Sequence, residues 1–147
     1  MPGVPRDVLA HLPTPPGGWP DWVDEAPYVG SRHPGAGNDL SPADGANCQH
    51  YAYALLALQG LRVPLHRSSE LWADPSLEHP DPARPRDLDL GLWSRDGAAY
   101  GAHVGVHVGG QVVHLCAEVG RPAVWTAEEM ARRERYQVLV GLVRVPR

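Results

Sequence analysis

The nucleophilic and base chemistry of this 147-residue chain rests on two cysteines and eight histidines. Cys48 stands in Asn47-Cys48-Gln49-His50, at the head of an apolar stripe of Tyr51, Ala52, Leu55, Leu56 and Leu58 at helical spacing. A thiol in the first turn of a helix meets unpaired backbone N–H groups and the positive end of the helix dipole, which favour thiolate over thiol. The same N–H groups can stabilise an oxyanion on an attacked carbonyl. His103, His107, His114 and Cys116 fall together in HVGVHVGGQVVHLC.

Gly109-Gly110 in that segment is a two-residue hairpin turn between β-branched runs. Residues paired across such a turn have numbers summing to 219. Val104, Val106 and Val108 then share a core-facing side with Leu115, Val113 and Gln111. The other face carries His103, Gly105, His107, Val112, His114 and Cys116. His103 lies opposite Cys116, and Gly105 opposite His114. His103 and His114 become diagonal neighbours roughly 7–8 Å apart at Cα, within reach of a ring-to-ring hydrogen bond, with Gly105 opening space beside them. A helix-start cysteine followed by strand histidines is the arrangement of a nucleophilic cysteine hydrolase. His103 would take the thiol proton, and His114 would orient that imidazole and set its tautomer. Other readings stay open: Cys48 as a small buried hydrophobe, Cys116 as the thiol without helix-end activation, or zinc held by His103, His107, His114 and a cysteine.

Around these residues the elements follow from pattern. Residues 1–43 are rich in Pro and Gly, with Trp19, Trp22 and Tyr28 interspersed, and predict an arm pinned on the domain without a long helix. A helix is expected over 47–59, capped by Asp44 or Asn47 and closed by Gly60. Ser69 opens a brief helix through Trp72, with Ser68-Ser69-Glu70 as its cap. Residues 74–86 are a Pro-rich loop. Leu88 to Trp93 is expected as a strand, and the adjacent Asp87 and Asp89 as solvated or capping groups. Gly101–Gly109 and Gln111–Cys116 form the hairpin. Thr126 and Glu129 make a capping box for a helix to about Arg135, and Tyr136 to Val145 is a last strand. The order predicts an α+β fold with a helix on antiparallel strands, one domain overall, the arm at 1–43 and the catalytic region at 44–147.

Composition narrows the function classes. The net charge is −4, with thirteen Arg and no Lys. Arg132, Arg133 and Arg135 are interleaved with Glu128, Glu129 and Glu134 and read as a solvated helix face, so no nucleic-acid surface is expected. Two cysteines make no disulfide framework, the first residues carry no export signal, and no run nears the roughly 18 apolar residues of a membrane span. A cytoplasmic protein with free thiols is expected.

NCQHYAYALLALQGLRVP followed by HVGVHVGGQVVH resembles the NlpC/P60 cysteine peptidases. Their pattern is an Asp-Cys-Ser-Gly helix start, a His-Val-Gly-hydrophobic-Tyr strand, a Gly turn and a hydrophobic-His-Ala strand. The resemblance spans roughly residues 28–145 and implies a papain-like core, with Cys48 as nucleophile, His103 as base and His114 as the orienting residue. Tyr28 and Gly30, in Tyr-Val-Gly, are similar in place to the family's Tyr-x-x-Gly segment, one residue shorter, whose Tyr lines the site. Asn47 replaces the family Asp, Gln49 and His50 replace Ser-Gly, and His107 replaces Tyr. Tyr28, Asn47, Gln49 and His107 are therefore the expected substrate contacts, in an altered shell. The implied activity is thiol-dependent hydrolysis of a small peptide or amide, such as a wall-derived γ-D-glutamyl peptide, with no metal or organic cofactor. The alternatives are a catalytically silent papain-like module, binding a partner through Trp72 and Trp93 exposed near the groove, and a His/Cys zinc domain.

Overall fold

The structure, a computed structural model, describes residues 3–37 and 41–147. Five antiparallel strands, β1 (Leu90–Ser94), β2 (His103–Val108), β3 (Gln111–Leu115), β4 (Pro122–Trp125) and β5 (Val138–Val143), form one sheet in the order β4-β3-β2-β1-β5. The β2–β3 pairs Val106–Val113, His107–Val112 and Val108–Gln111 sit in the expected register. Gly109 and Gly110 turn the chain at φ +59° and +79°, a pair of positive angles that a tight right-twisting hairpin needs. β4 is an edge strand absent from the sequence expectation; it has four residues and begins at Pro122, which lacks a ladder donor.

Among the described residues five α-helices accompany the sheet: α1 (Arg6–Leu9), α2 (Trp22–Glu25), α3 (Cys48–Leu58), α4 (Ser68–Ala73) and α5 (Ala127–Ala131). α3 is capped by Asn47, whose side-chain oxygen accepts the His50 N–H at 2.9 Å. Its Tyr51, Ala52, Leu55 and Leu56 are fully buried and pack with Leu90, Leu92, Val104, Val106, Val108, Val113 and Leu115. Each such leucine is worth about 1.5–3 kcal/mol of burial. Val4, Val8, Leu9, Leu12 and Val23 from the first segment join this core, and the Tyr51 hydroxyl donates to the Val23 carbonyl at 2.7 Å.

The opposite face of the sheet is covered too, by a second cluster of Trp93, Val112, Cys116, Trp125, Met130 and Tyr136. Trp93 is 4 % exposed, which corrects the expectation of a groove-side exposed Trp. Its indole occupies the space left by Gly91, where a Cβ would collide with the ring, and meets Gly105 across the ladder. Trp72 is half-buried, stacked on His79 with 3.8 Å between centroids and packed against the core beside Gly141. The capping box at Thr126 and Glu129 forms as expected, but α5 stops at Ala131. Arg133 turns to extended backbone, and a single 3-10 turn at Glu134–Tyr136 drives Tyr136 into the second cluster, so Tyr136 precedes the last strand rather than opening it.

Asp89 is 1 % exposed rather than solvated. Arg144 grips it with Nε and Nη2, both at 2.7 Å, and the Arg86 N–H donates to it at 2.8 Å. Asp87 does cap: it accepts the Gly109 N–H at 2.8 Å and ties the hairpin turn to the strand start. No helix among the described residues is long and apolar enough to cross a membrane.

Candidate functional site

α3 delivers Cys48 from the valine-packed side of the sheet, and His103, first residue of β2, reaches the same cleft from the other face. The cleft has two lobes of about 350 and 320 Å³ that share Tyr28, Cys48, Tyr100, Gly101 and Ala102. His103, Tyr136 and Arg135 line one lobe; Asn47, Gln49 and Arg67 line the other. Tyr28 is held at the junction by a bridge to Ala46, two residues before Cys48. The proline-rich segment thus sets one wall of the cleft beside the thiol.

His103 Nε2 lies 2.8 Å from His114 Nδ1, the diagonal bond that the hairpin register predicts. His114 is fully buried, and its other nitrogen, Nε2, has no hydrogen-bond partner. The Trp125 and His114 rings lie 4.3 Å apart at their centroids with their planes at 68°, and Tyr136 tilts over His103 at 4.6 Å. With Nε2 engaged by His114, Nδ1 of His103 is the nitrogen left for a thiol.

Burial dominates the protonation of these groups. It pushes the Cys48 thiol up, although the backbone N–H groups of Val104, Gln49 and Cys48 itself pull the other way. The helix start acts in the expected direction but is outweighed, so the expected net lowering of the thiol is reversed. Desolvation, then His114 and Arg135, hold His103 well below the usual imidazole range. His114 is pushed down to about 3 by burial and by the nearby Arg133 charge. Both rings are neutral at pH 7, and the thiol keeps its proton. Burial, with the Cys48 charge next, raises the Tyr28 hydroxyl.

The expected substrate contacts separate. Tyr28, Asn47 and Gln49 line the cleft. Asn47 is 6 % exposed with its oxygen spent on the cap, and the Gln49 Nε2 is buried without a partner. His107 does not reach the cleft. Its ring stacks on Trp93 at 5.8 Å, its Nδ1 lies 3.3 Å from the Asp89 carbonyl oxygen, and it lines a separate cavity of about 170 Å³ beside Val112 and Leu139. His107 shares a face with His103 but stands four residues further along β2, about 13 Å at the strand's rise, where its backbone bonds to Leu88 and Asp89. Cys116 is fully buried in the second cluster and lines neither lobe. Among the described residues no group of three His, Cys, Asp or Glu is placed to hold a metal ion.

Sequence reasoning missed Tyr136, Arg135, Arg67 and Tyr100 as cleft residues. Arg133 is not a plain solvated charge: its guanidinium sits 4.0 Å from the Trp125 ring centroid and pairs with Glu118 at 3.0 Å. The one available signal was the aromatic residue placed at the end of a basic run, Arg132-Arg133-Glu134-Arg135-Tyr136.

No protein-family model matches the chain, and no curated protein matches it. Among solved structures it is similar to an NlpC/P60 family protein from Bacillus cereus ATCC 10987, with a TM-score of 0.57 and 18 % identity. The match covers 80 % of this chain and 35 % of that protein, so the chain spans about a third of its length. The likeness is one of fold: an α+β chain whose antiparallel sheet and few helices are consistent with an NlpC/P60-like architecture.

Proposed function

We propose that the chain is a thiol-dependent hydrolase with a papain-like arrangement of Cys48, His103 and His114, cutting an amide bond in a small peptide or related amide. The observation that carries this reading is the 2.8 Å bond between His103 Nε2 and His114 Nδ1, on a ring that lines the same cleft as a helix-start cysteine. The NlpC/P60 likeness of the fold supports it.

The Cys48 thiol and the two imidazoles are uncharged at rest, so the reaction begins with proton transfer. His103 Nδ1 takes the Cys48 proton as Sγ forms a bond to the substrate carbonyl carbon. The oxyanion is met by the N–H groups at the α3 start and by the Tyr28 hydroxyl. His103 returns the proton to the departing amine as the C–N bond breaks, leaving a thioester. Water, giving a proton to the same Nδ1, then attacks the thioester, and Cys48 recovers its proton as the acid leaves. His114 accepts from His103 Nε2–H throughout and holds the ring in the tautomer that leaves Nδ1 bare.

A peptide carrying a γ-D-glutamyl bond is the substrate to assay first, with the changed residues Asn47 and Gln49 facing it. Release of an amine from such peptides by the wild type and none by Cys48→Ala supports the reading. Absence of release from any γ-glutamyl or α-peptide amide, together with no acylation of Cys48 by a peptide thioester-forming probe, overturns it.

A further inference from the structure

If His103 is the base toward Cys48, its Nδ1 must be bare, and its neutral ring carries hydrogen on Nε2. That hydrogen points to His114 Nδ1, 2.8 Å away, so Nδ1 of His114 is the acceptor. A neutral His114 must then carry its own hydrogen on Nε2. This N–H is buried and has no nitrogen or oxygen partner. A buried donor with nothing to bond is costly, and the other tautomer, with hydrogen on Nδ1, would reverse the chain and cover the nitrogen that His103 needs.

The aromatic neighbour of His114 other than His103 is Trp125, whose centroid lies 4.3 Å from that of His114 with the planes at 68°. An edge-on imidazole at that distance can direct an N–H into the negative face of an indole. The pairing is built by the sheet. β3 and β4 place Trp125 across from Val112, and Ala123 across from His114, on the same face. Trp125 is 6 % exposed and is held by the Arg133 guanidinium 4.0 Å from its centroid. A cation beside the ring also opposes a second charge on His114, so the pair is suited to a neutral imidazole.

We propose that Trp125 is a positioning residue of the His103–His114 pair: the face of its indole receives the buried His114 Nε2–H, keeps hydrogen on that nitrogen, and leaves Nδ1 to accept from His103. Trp125 lines neither lobe of the cleft, and acts through two rings. The proposal rests on the hydrolase reading for the bare Nδ1 of His103, while the His114 tautomer is read directly by NMR whatever Cys48 does.

Nitrogen-15 NMR of histidine-labelled protein tests it. In the wild type, His114 shows a protonated Nε2, and that proton is shifted upfield by the indole ring current. Trp125→Phe, which keeps a π face, retains this tautomer. Trp125→Leu, which removes it, shifts the tautomer ratio toward Nδ1–H by about two- to fivefold and slows alkylation of Cys48, while alkylation in Trp125→Phe stays near wild type. A wild-type His114 with hydrogen on Nδ1 overturns the proposal without any variant, as does an unshifted Nε2 proton. So does Trp125→Leu with wild-type tautomer and alkylation rate. A failure of the hydrolase reading is separate: it shows as an unreactive Cys48 in a wild type whose His114 tautomer is as described.

Discussion

His103 Nε2 and His114 Nδ1 face each other at 2.8 Å from adjacent strands, so the two rings share one proton between them and each fixes the other's tautomer. The acceptor character of His114 is therefore the property to vary. His114→Asn keeps an oxygen acceptor and is expected to retain part of the alkylation rate of Cys48. His114→Leu, close in size and without an acceptor, is expected to fall well below it. Equal rates for the two variants would detach His114 from the chemistry. In the proposed reaction His103→Ala removes the base and is expected to lower turnover by about 10²–10⁴-fold.

The protonation of the thiol sets a pH profile. Burial raises the Cys48 thiol and depresses His103, so the resting pair is thiol and imidazole rather than thiolate and imidazolium. Alkylation by iodoacetamide is expected to climb with pH through the alkaline range, because thiolate appears only as pH passes the raised pKa. A rate already flat between pH 5 and 7 means an ion pair, and the neutral resting state is then wrong.

Acid stability follows from the same burial with the sign reversed for a base. His114 titrates at about 3 in the fold against 6.5 when exposed, and His103 also lies well below 6.5. Between those values the unfolded chain binds more protons, so the fold loses stability as pH falls below 6.5, by up to about 1.4 kcal/mol per pH unit for each such ring. Thermal melts from pH 7 to pH 4 should show the loss, and His114→Leu should flatten it. A wild-type melting temperature unchanged over that range would contradict the burial of these rings.

The hairpin was legible because its turn is local. Gly109-Gly110 determines the register, the register places His103 and His114 on one diagonal, and the bond between them is the outcome. Asn47 as the cap and Cys48 at the helix start were equally local. What lay beyond pattern reading depends on contacts between distant segments. His107 sits on the same face as His103 but is held by the Asp89 carbonyl, eighteen residues away, and by Trp93. The expected lowering of the thiol treated the helix start as if it faced water, whereas packing of α3 on β2 desolvates it. Tyr136 and Trp125 cover the histidines only because a 3-10 turn and a four-residue edge strand bring them there, and neither element carries a periodic signal.

The Asp89–Arg144 pair joins the start of β1 to the end of β5 with the carboxylate out of water and the guanidinium partly covered: the Asp89 side chain is 1 % exposed and that of Arg144 16 %. Removing Arg144 strands the buried carboxylate, whereas removing Asp89 leaves Arg144 within 3.9 Å of Glu78. Arg144→Ala is expected to cost about 3 kcal/mol, read as a shift in the urea midpoint. The paired replacement Asp89→Leu with Arg144→Met should recover most of that loss. A single-variant cost below about 1 kcal/mol, the value of an exposed pair, would contradict the buried assignment.

Gly105 is where packing and the candidate chemistry meet. It lies on the histidine face, paired with Gly91 and flanked by Val112, His114 and Trp93. A Cβ placed there would stand 2.6 Å from Val112 Cγ1, 3.2 Å from His114 Cβ and 3.3 Å from the Trp93 ring. The nearest obstruction is a β-branched strand residue with little freedom to move, and the second is the backbone-proximal atom of His114. Gly105→Ala is therefore expected to destabilise the fold by about 1–3 kcal/mol through overpacking. It should also push His114 off the His103 diagonal. The two effects separate in a double variant: adding Val112→Ala relieves the closest contact and restores most of the stability. The displacement of His114 remains, because its Cβ is still 3.2 Å from the new methyl. Cys48 alkylation should accordingly stay slow in the double variant while its melting temperature recovers. Recovery of both together would mean that Gly105 is there for packing alone.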